Sequence, residues 1–425
     1  MAAPLCPPLP SAVDGAISIH LNAAGASPSP PSVLEAITEH LQREVALGAY
    51  EASHRLARSS PANGGAPYSK LFDPSLPYLP LSRLLSVRPS CLALTQSAQH
   101  AFNLAVSSLD LSQPGQRVLA FGGEYRGNIA QLRAHLKRCE AEEALTVLPM
   151  LPSGLADVEA LEAALADPRP GAPPPVVLLC HVNTCRSVVQ PAAAVGSLVA
   201  AAGGIFVLDA CQSAGMLPLD LPSLRADFAC LTSRKWLRGP RGIGALYVSP
   251  RLLERPPATL LPPPSLDHSS AALARGSGEV VPNETAARYE LWESSPALAL
   301  GFAAAVSEAL DVGVGEIAAL SRERAGRLRG GLGGIGGLNL VDGGGEAPIV
   351  AFEAETGGGP PAAEIHRALV GRGIAGSVSP AGHSFDEGEW GGVSAVRFSP
   401  HWFVTEGQVD EAVEAVRQIL ESKGN

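Results

Sequence analysis

Val207-Leu208-Asp209-Ala210-Cys211-Gln212-Ser213-Ala214-Gly215 is the stretch on which the fold turns. It ends the apolar run Ile205–Asp209 with an acid and then breaks into small residues. Six further apolar runs lie in the same region: Leu92–Thr95, Arg117–Phe121, Leu145–Pro149, Val176–Val182, Phe228–Thr232 and Gly244–Val248. Between them stand helical patterns over Ala98–Leu109, Asn128–Arg138, Val158–Ala166 and Ala192–Ala202. Strands that are apolar almost throughout, separated by helices, predict an α/β fold with a mostly parallel sheet covered on both faces. An acid at the end of such a strand lies where α/β sheets bind ligands.

Outward from this block, length and composition set the bounds. A chain of 425 residues suggests about two domains. Its 46% hydrophobic content is enough for a large core. The 45 glycines and 38 prolines would suit a low-complexity chain, so their positions matter. Pro114, Pro152, Pro168, Pro173–Pro175, Pro191 and Pro218 fall at joints between runs, which is punctuation. A net charge of −10 argues against a general binder of nucleic-acid backbones, which needs a basic face. The seven cysteines contain no C-x-x-C pair, and Cys180, His181 and Cys185 lack a second ligand pair for a metal. Scattered thiols suit a reducing compartment. No apolar stretch approaches the ~20 residues that span a bilayer. The first forty residues carry no lysine or arginine, so signal and transit peptides lack their basic flank. The expectation is a soluble, cytoplasmic protein with neither membrane nor nucleic acid as partner.

Beyond the proline-rich Pro256–Pro264 the pattern changes to α+β. Helices are predicted over Ala297–Leu310, Ile317–Leu328, Ala362–Arg372 and Glu406–Glu421. Strands are predicted over Leu338–Val341, Ile349–Glu353 and Ser394–Phe398, with a flexible glycine-rich turn at Gly330–Gly337. A further helix, Ser32–Leu47, opens after Pro30-Pro31. The division that follows is an N-terminal segment (1–50), a large domain (51–265) and a linking helix with a small C-terminal domain (266–425). Gly331-Leu332-Gly333-Gly334-Ile335-Gly336 spells G-x-G-x-x-G, but it follows a helix and leads into a strand, the reverse of a dinucleotide site. The stretches Ser59–Tyr68 and Gly357–Pro361 are read as loops.

The chemistry gathers in two places. Asp209 and Gln212 follow one strand. Lys235 follows the next, in Thr232-Ser233-Arg234-Lys235-Trp236-Leu237-Arg238-Gly239-Pro240-Arg241-Gly242-Ile243-Gly244. Alone, the acid is a helix cap and the lysine a solvated strand end. Together they put an acid, an amide and a lysine at one sheet edge. A buried lysine with a lowered pKa suits Schiff-base chemistry, and an acid facing a pyridine nitrogen makes the ring an electron sink.

With these elements on view, the chain resembles the class V aminotransferases, pyridoxal-phosphate enzymes of fold-type I. The D-x-x-Q, S-x-K and G-P-x-G-x-G elements occur in that family's order and spacing. Leu21-Asn22-Ala23-Ala24-Gly25-Ala26-Ser27 resembles the N-terminal segment bordering the active site. Thr95-Gln96-Ser97-Ala98-Gln99-His100-Ala101-Phe102-Asn103 resembles the loop that receives the cofactor phosphate. Glu124-Tyr125-Arg126-Gly127-Asn128 resembles the segment that stacks on the ring. His181-Val182-Asn183-Thr184 resembles the next strand end, and Val396-Arg397-Phe398-Ser399-Pro400-His401 the C-terminal element that grips a carboxylate.

The resemblance implies pyridoxal 5'-phosphate as cofactor and a large domain with a seven-stranded sheet. It implies Lys235 as the lysine joined to the cofactor, Asp209 at the pyridine nitrogen and Gln212 at the phenolic oxygen. Ser97, Ala98 and Ser233 would hold the phosphate with Ser295 from a second subunit, and Thr184 would also border the cofactor. Tyr125 or Arg126 replaces the stacking histidine of many relatives. Arg397, with Asn22 and Ala24, would bind an amino acid substrate. A homodimer is implied because family sites borrow residues across the interface. Two departures bear on the substrate: Val404 replaces a common asparagine, and Ser294-Ser295-Pro296 replaces Gly-Thr-Pro.

Transamination, epimerisation and β-elimination all begin with removal of the Cα proton by the freed lysine. The chain has no cysteine after Cys230, and Gly376-Ser377-Val378-Ser379-Pro380 stands where desulfurases carry their sulfur-accepting cysteine. Persulfide formation is therefore disfavoured, while a C–S lyase needs only base and electron sink. The fine pattern most resembles isopenicillin epimerase-like proteins and the sulfoxide C–S lyases of ergothioneine formation. The expected activity is C–S lyase, with aminotransferase or epimerase as alternatives. Outside the enzymes of this family stand a non-catalytic relic of the same fold and a redox enzyme on a nucleotide-binding sheet.

Overall fold

The computed structural model describes residues 16–59, 76–166, 171–274, 276–355, 359–379 and 394–422. Residues 60–68 and 357–358, both read above as loop, lie outside them. The seven apolar runs become β1 (Leu92–Thr95), β2 (Val118–Phe121), β3 (Leu145–Leu148), β4 (Val176–Cys180), β5 (Ile205–Asp209), β6 (Phe228–Thr232) and β7 (Gly244–Val248). They form one sheet in the order β1-β7-β6-β5-β4-β2-β3. The five strands β2 to β6 run parallel, and β7 runs antiparallel to both its neighbours, β6 and β1.

Period-two alternation explains why these runs are apolar on every residue. Leu119, Phe121, Leu179, Phe206, Leu208 and Leu231 enter the core on one face. Val118, Ala120, Leu178, Ile205, Val207 and Phe228 enter the core on the other. Helices Ala98–Ser107, Arg126–Arg138, Val158–Leu165 and Ala192–Ala201 connect the strands. The chain reverses direction along the sheet between β2 and β4, which makes the carboxyl ends of β2, β4, β5 and β6 the natural ligand edge.

A second core lies under an antiparallel sheet of β8 (Leu338–Leu340), β9 (Val350–Ala354), β10 (Ser377–Ser379) and β11 (Ala395–Phe398), ordered β8-β9-β11-β10. Helix Glu406–Glu421 closes it, started by a capping box of Thr405 and Gln408. The N-terminal helix, Pro31–Leu47, packs along Pro296–Val312. Ile19–His20 pairs with Ile374–Ala375 in parallel and ties the N-terminal segment to the small sheet.

Three sequence expectations need correction. The turn at Gly330–Gly337 begins late, because helix Val314–Gly333 continues through its first four residues. Leu328 and Leu332 anchor that turn of helix in the core, and a Cβ on Gly331 would stand 2.8 Å from Val413. Glycine there permits close helix packing rather than a bend. The helices Ala49–Ser59 and Tyr78–Leu85 are additions to the sequence reading, short amphipathic segments of 11 and 8 residues. So is β10, three residues long, which is recruited by pairing with β11.

Candidate active site

A cavity of about 360 Å³ opens at the ligand edge, within the range of small-molecule sites, about 300–1,000 Å³. Ser97, Ala98, Tyr125, Thr184, Asp209, Gln212 and Lys235 all line it. Residues up to 138 positions apart in the chain thus converge because their strands end side by side.

Asp209 ends β5, and both carboxylate oxygens are held. Oδ1 accepts from the Cys211 backbone N–H at 2.8 Å, and Oδ2 accepts from Asn128 Nδ2 at 2.7 Å. Asn128 sits in the first turn of helix Arg126–Arg138, so the loop after β2 aims the acid of β5. Lys235 lies in the turn after β6. Burial lowers its pKa below the usual lysine value, against the raising effects of Cys211 and Asp209. The neutral amine is the form that attacks and that accepts a proton.

Gln212 donates from Nε2 to the Ala24 carbonyl at 3.0 Å and to Thr184 Oγ1 at 3.2 Å. Its Oε1 accepts from Trp236 Nε1 at 2.9 Å. Arg397, on β11, reaches across from the small sheet. It donates to the Thr184 carbonyl and Oγ1, each at 2.8 Å, and to Asn22 Oδ1 at 3.2 Å. Its buried Nε has no partner among the described residues. Asn22 and Ala24 therefore act on the site by fixing Arg397 and Gln212.

Ser97 caps helix Ala98–Ser107, accepting from the His100 N–H at 3.1 Å. The first-turn N–H groups of Ala98 and Gln99 have no intrahelical acceptor and suit an anion. Tyr125 lines the cavity, whereas Arg126 does not. Ser233 is fully buried beside the cavity, with its hydroxyl on the carbonyls of Pro240 and Ile243. Ser295 caps helix Pro296–Val312 and is exposed, away from this cavity.

Several site groups escaped the sequence reading. Asn128 lay inside a quoted segment, but nothing local says that it reaches Asp209. Glu124 is fully buried: Oε1 accepts from the Cys180 N–H at 2.5 Å and Oε2 has no partner. Burial, with the Asp209 charge second, pushes its pKa up to about 8. Arg234 and Arg241 also line the cavity. Among the described residues Asp209, Cys211 and Cys230 form a group with metal-ligating spacing, not the Cys180, His181 and Cys185 considered from sequence. Burial brings His181 down to about 4, and its Nδ1 lies 3.0 Å from Ser213 Oγ.

Comparison with known proteins follows the same lines. The family model for class-V aminotransferases matches residues 82–411. A probable hercynylcysteine sulfoxide lyase of Mycobacterium tuberculosis is 29% identical over 347 residues, covering 81% of this chain and 76% of that protein. The cysteine desulfurase IscS of Proteus mirabilis is 35% identical over 170 residues, 40% of each chain. In fold, a cysteine desulfurase from Thermococcus onnurineus NA1 superposes with a TM-score of 0.77 at 19% identity, covering 95% of both chains. The cystine C–S lyase C-DES, solved with its product cysteine persulfide, superposes with a TM-score of 0.76 at 21% identity, covering 94% of this chain and 97% of that one.

Proposed function

The chain belongs to the class-V aminotransferase family and is a pyridoxal-phosphate-dependent enzyme, and from that premise we propose that it cleaves the carbon–sulfur bond of a cysteine S-conjugate by β-elimination. The observation that carries the reading is a buried lysine, Lys235, sharing one cavity with Asp209 and with the open N-terminus of helix Ala98–Ser107. These groups fit the cofactor by chemistry. The helix N-terminus suits its phosphate, the carboxylate its ring nitrogen and the amine its aldehyde carbon. The unpartnered Nε of Arg397 suits a substrate carboxylate.

Pyridoxal 5'-phosphate, when bound, withdraws electrons from the α-carbon of the amino acid joined to it. The protein's own groups do the rest. Lys235 removes the Cα proton, a role favoured by the burial that lowers its pKa. Asp209, fixed by Asn128, keeps a proton on the ring nitrogen. Arg397, held by Thr184 and Asn22, orients the carboxylate so that the Cα–H bond faces the amine. Tyr125, which lines the cavity, would stack on the cofactor ring, with Arg126 outside this role. Gln212 would meet the phenolic oxygen, while Ser97, Ala98 and Ser233 would form the phosphate seat. For Ser233, that role runs through the Pro240–Ile243 turn, to which its hydroxyl is bonded.

Elimination is favoured over transamination and epimerisation by the similarity to a sulfoxide lyase across 81% of the chain. It is favoured over persulfide transfer because β10 carries serines and no cysteine follows Cys230. Ser295 belongs to the phosphate seat of the partner subunit, which makes the enzyme a homodimer, and the cytoplasm is its compartment. The division into 1–50, 51–265 and 266–425 goes with this reading, although helix Ala49–Ser59 runs through the first boundary.

Incubation of the holoenzyme with cysteine sulfoxides, cysteine thioethers, amino donors and single enantiomers tests the reaction. Pyruvate is the expected product. A keto acid retaining the side chain, or racemised substrate without pyruvate, overturns the lyase reading. Light scattering that finds a catalytically competent monomer overturns the dimer.

A further inference from the structure

The elimination leaves one group of reactive side chains unused. Cys180, Asp209 and Cys230 are in register on adjacent parallel strands, as Cα partners across β4, β5 and β6. Cys211 lies two residues beyond Asp209 and lines the cavity, half-buried. Next to it lies Cys230, fully buried, and ligand atoms of Asp209, Cys211 and Cys230 are all within 4.8 Å of one another. The Cys211 thiol donates to the Cys230 carbonyl at 3.9 Å, and the Cys230 thiol to the Leu208 carbonyl at 3.8 Å. Cys180 also borders the cavity, its Sγ donating to the Val182 carbonyl at 3.3 Å. Asp209 is held by Asn128 and the Cys211 N–H and is committed to the cofactor ring, so the group leaves two thiols unassigned. That is a dithiol: one sulfur lining the cavity and a second buried next to it.

We propose that Cys211 and Cys230 form a redox pair that captures and reduces the sulfenic acid released in the cavity when a cysteine S-conjugate sulfoxide is cleaved. The inference rests on the C–S lyase reading. Elimination from a sulfoxide breaks the Cβ–S bond, the electron pair leaves with sulfur, and the fragment takes a proton to become R–SOH. The Cys211 sulfur attacks the sulfenic sulfur. An S–S bond forms, the S–O bond breaks, and the oxygen leaves as water with the thiol proton. The Cys230 sulfur, within 4.8 Å, then attacks Cys211 Sγ in an ordinary disulfide exchange. The Cys211–Cys230 bond forms and R–S departs, taking the Cys230 proton as R–SH. The sulfenic sulfur gains two electrons and the two protein thiols lose them. A low-molecular-weight thiol restores the pair before the next turnover. The neighbouring Cys211 thiol, and then burial, push the Cys230 thiol well above its usual pKa, which makes the second attack the slow one.

The test is a single turnover, with the holoenzyme in excess over S-methyl-L-cysteine sulfoxide and no added thiol, followed by acid quench and peptide mass mapping. The expected result is pyruvate and methanethiol in about equal amounts, with a Cys211–Cys230 disulfide at each reacted site. The variant Cys230→Ser should hold a methylthio adduct on Cys211, and Cys211→Ser should give neither adduct nor disulfide. The wild-type peptide map stands by itself if a variant does not fold. Pyruvate accompanied by stoichiometric sulfenic acid, trapped by a 1,3-diketone, with both cysteines unmodified, overturns the relay alone. No pyruvate from either sulfoxide or thioether overturns the lyase reading and the relay with it.

Discussion

The two ends of strands β5 and β6 carry two buried acids with opposite fates. At the amino end, Asp227 is closed in on all sides. Arg251 holds both its oxygens, at 3.0 Å and 2.7 Å, Ser249 donates to Oδ1 at 2.9 Å and the Phe206 N–H to Oδ2 at 3.0 Å. At the carboxyl end, Asp209 stands beside a lysine whose charge burial disfavours, with unpartnered atoms on Glu124 and Arg397 nearby. Burial is similar, 6% exposed in both cases, so exposure does not separate a structural acid from a functional one. Nor do the acid's own bonds, since both oxygens of each are held; the open polar atoms around Asp209 do. A buried polar group left open costs stability, and such cost is tolerated where a ligand will complete the bond.

The contrast can be broken experimentally, first at its functional end. Lys235→Ala should lower turnover by at least about 1,000-fold, at the upper part of the range for a lost general base. The visible absorbance of the lysine-bound cofactor should vanish while the melting temperature of the apoprotein holds. Retained absorbance would remove Lys235 from its role. At the structural end, Asp227→Asn should destabilise the fold by about 2–3 kcal/mol, read from denaturant midpoints. The figure is below that for a fully buried pair because the Arg251 side chain is 45% exposed. Specific activity per folded molecule should remain, and its collapse would join the two ends.

Arg397→Lys keeps the charge and loses the planar fork. KM should rise roughly 10- to 100-fold, corresponding to ~1.5–3 kcal/mol for bonds to a charged group, with a smaller change in kcat. A fall in kcat alone would contradict substrate binding. The smallest effect concerns Glu124. Its folded pKa of about 8 lies above the ordinary glutamate value of 4.5, so the native state retains a proton that the unfolded chain releases. Stability is therefore lost progressively as pH rises through that window. Glu124→Gln should gain on the wild type between pH 5 and pH 8 by more than ~1.4 kcal/mol, the equivalent of one pKa unit. Parallel pH profiles of melting temperature would sink this.

Much of this was legible in the chain. Four of the seven predicted strands coincide with observed ones residue for residue (β1, β5, β6 and β7), because residues buried on both faces leave an uninterrupted apolar run. Errors fell where local signals mislead. Glycines at 330, 331 and 333 read as a turn yet complete a helix, since Leu328 and Leu332 hold it in the core. For Ser233 the sequence offered a phosphate role, and only the structure adds that its hydroxyl bonds the turn that follows Lys235.

The sequence by itself determined the strand and helix alternation and the candidate pair Asp209 and Lys235, because periodicity and residue chemistry are local properties. Only the tertiary structure decided what surrounds them. Asn128 meets Asp209 across 81 residues, Arg397 meets Thr184 across 213, and Cys211 finds Cys230 on the neighbouring strand. Desolvation of Lys235, the orphaned oxygen of Glu124 and the facing thiols all arise from those distant partners. The free energy of a buried polar group depends on every atom around it, and no window of sequence contains those atoms.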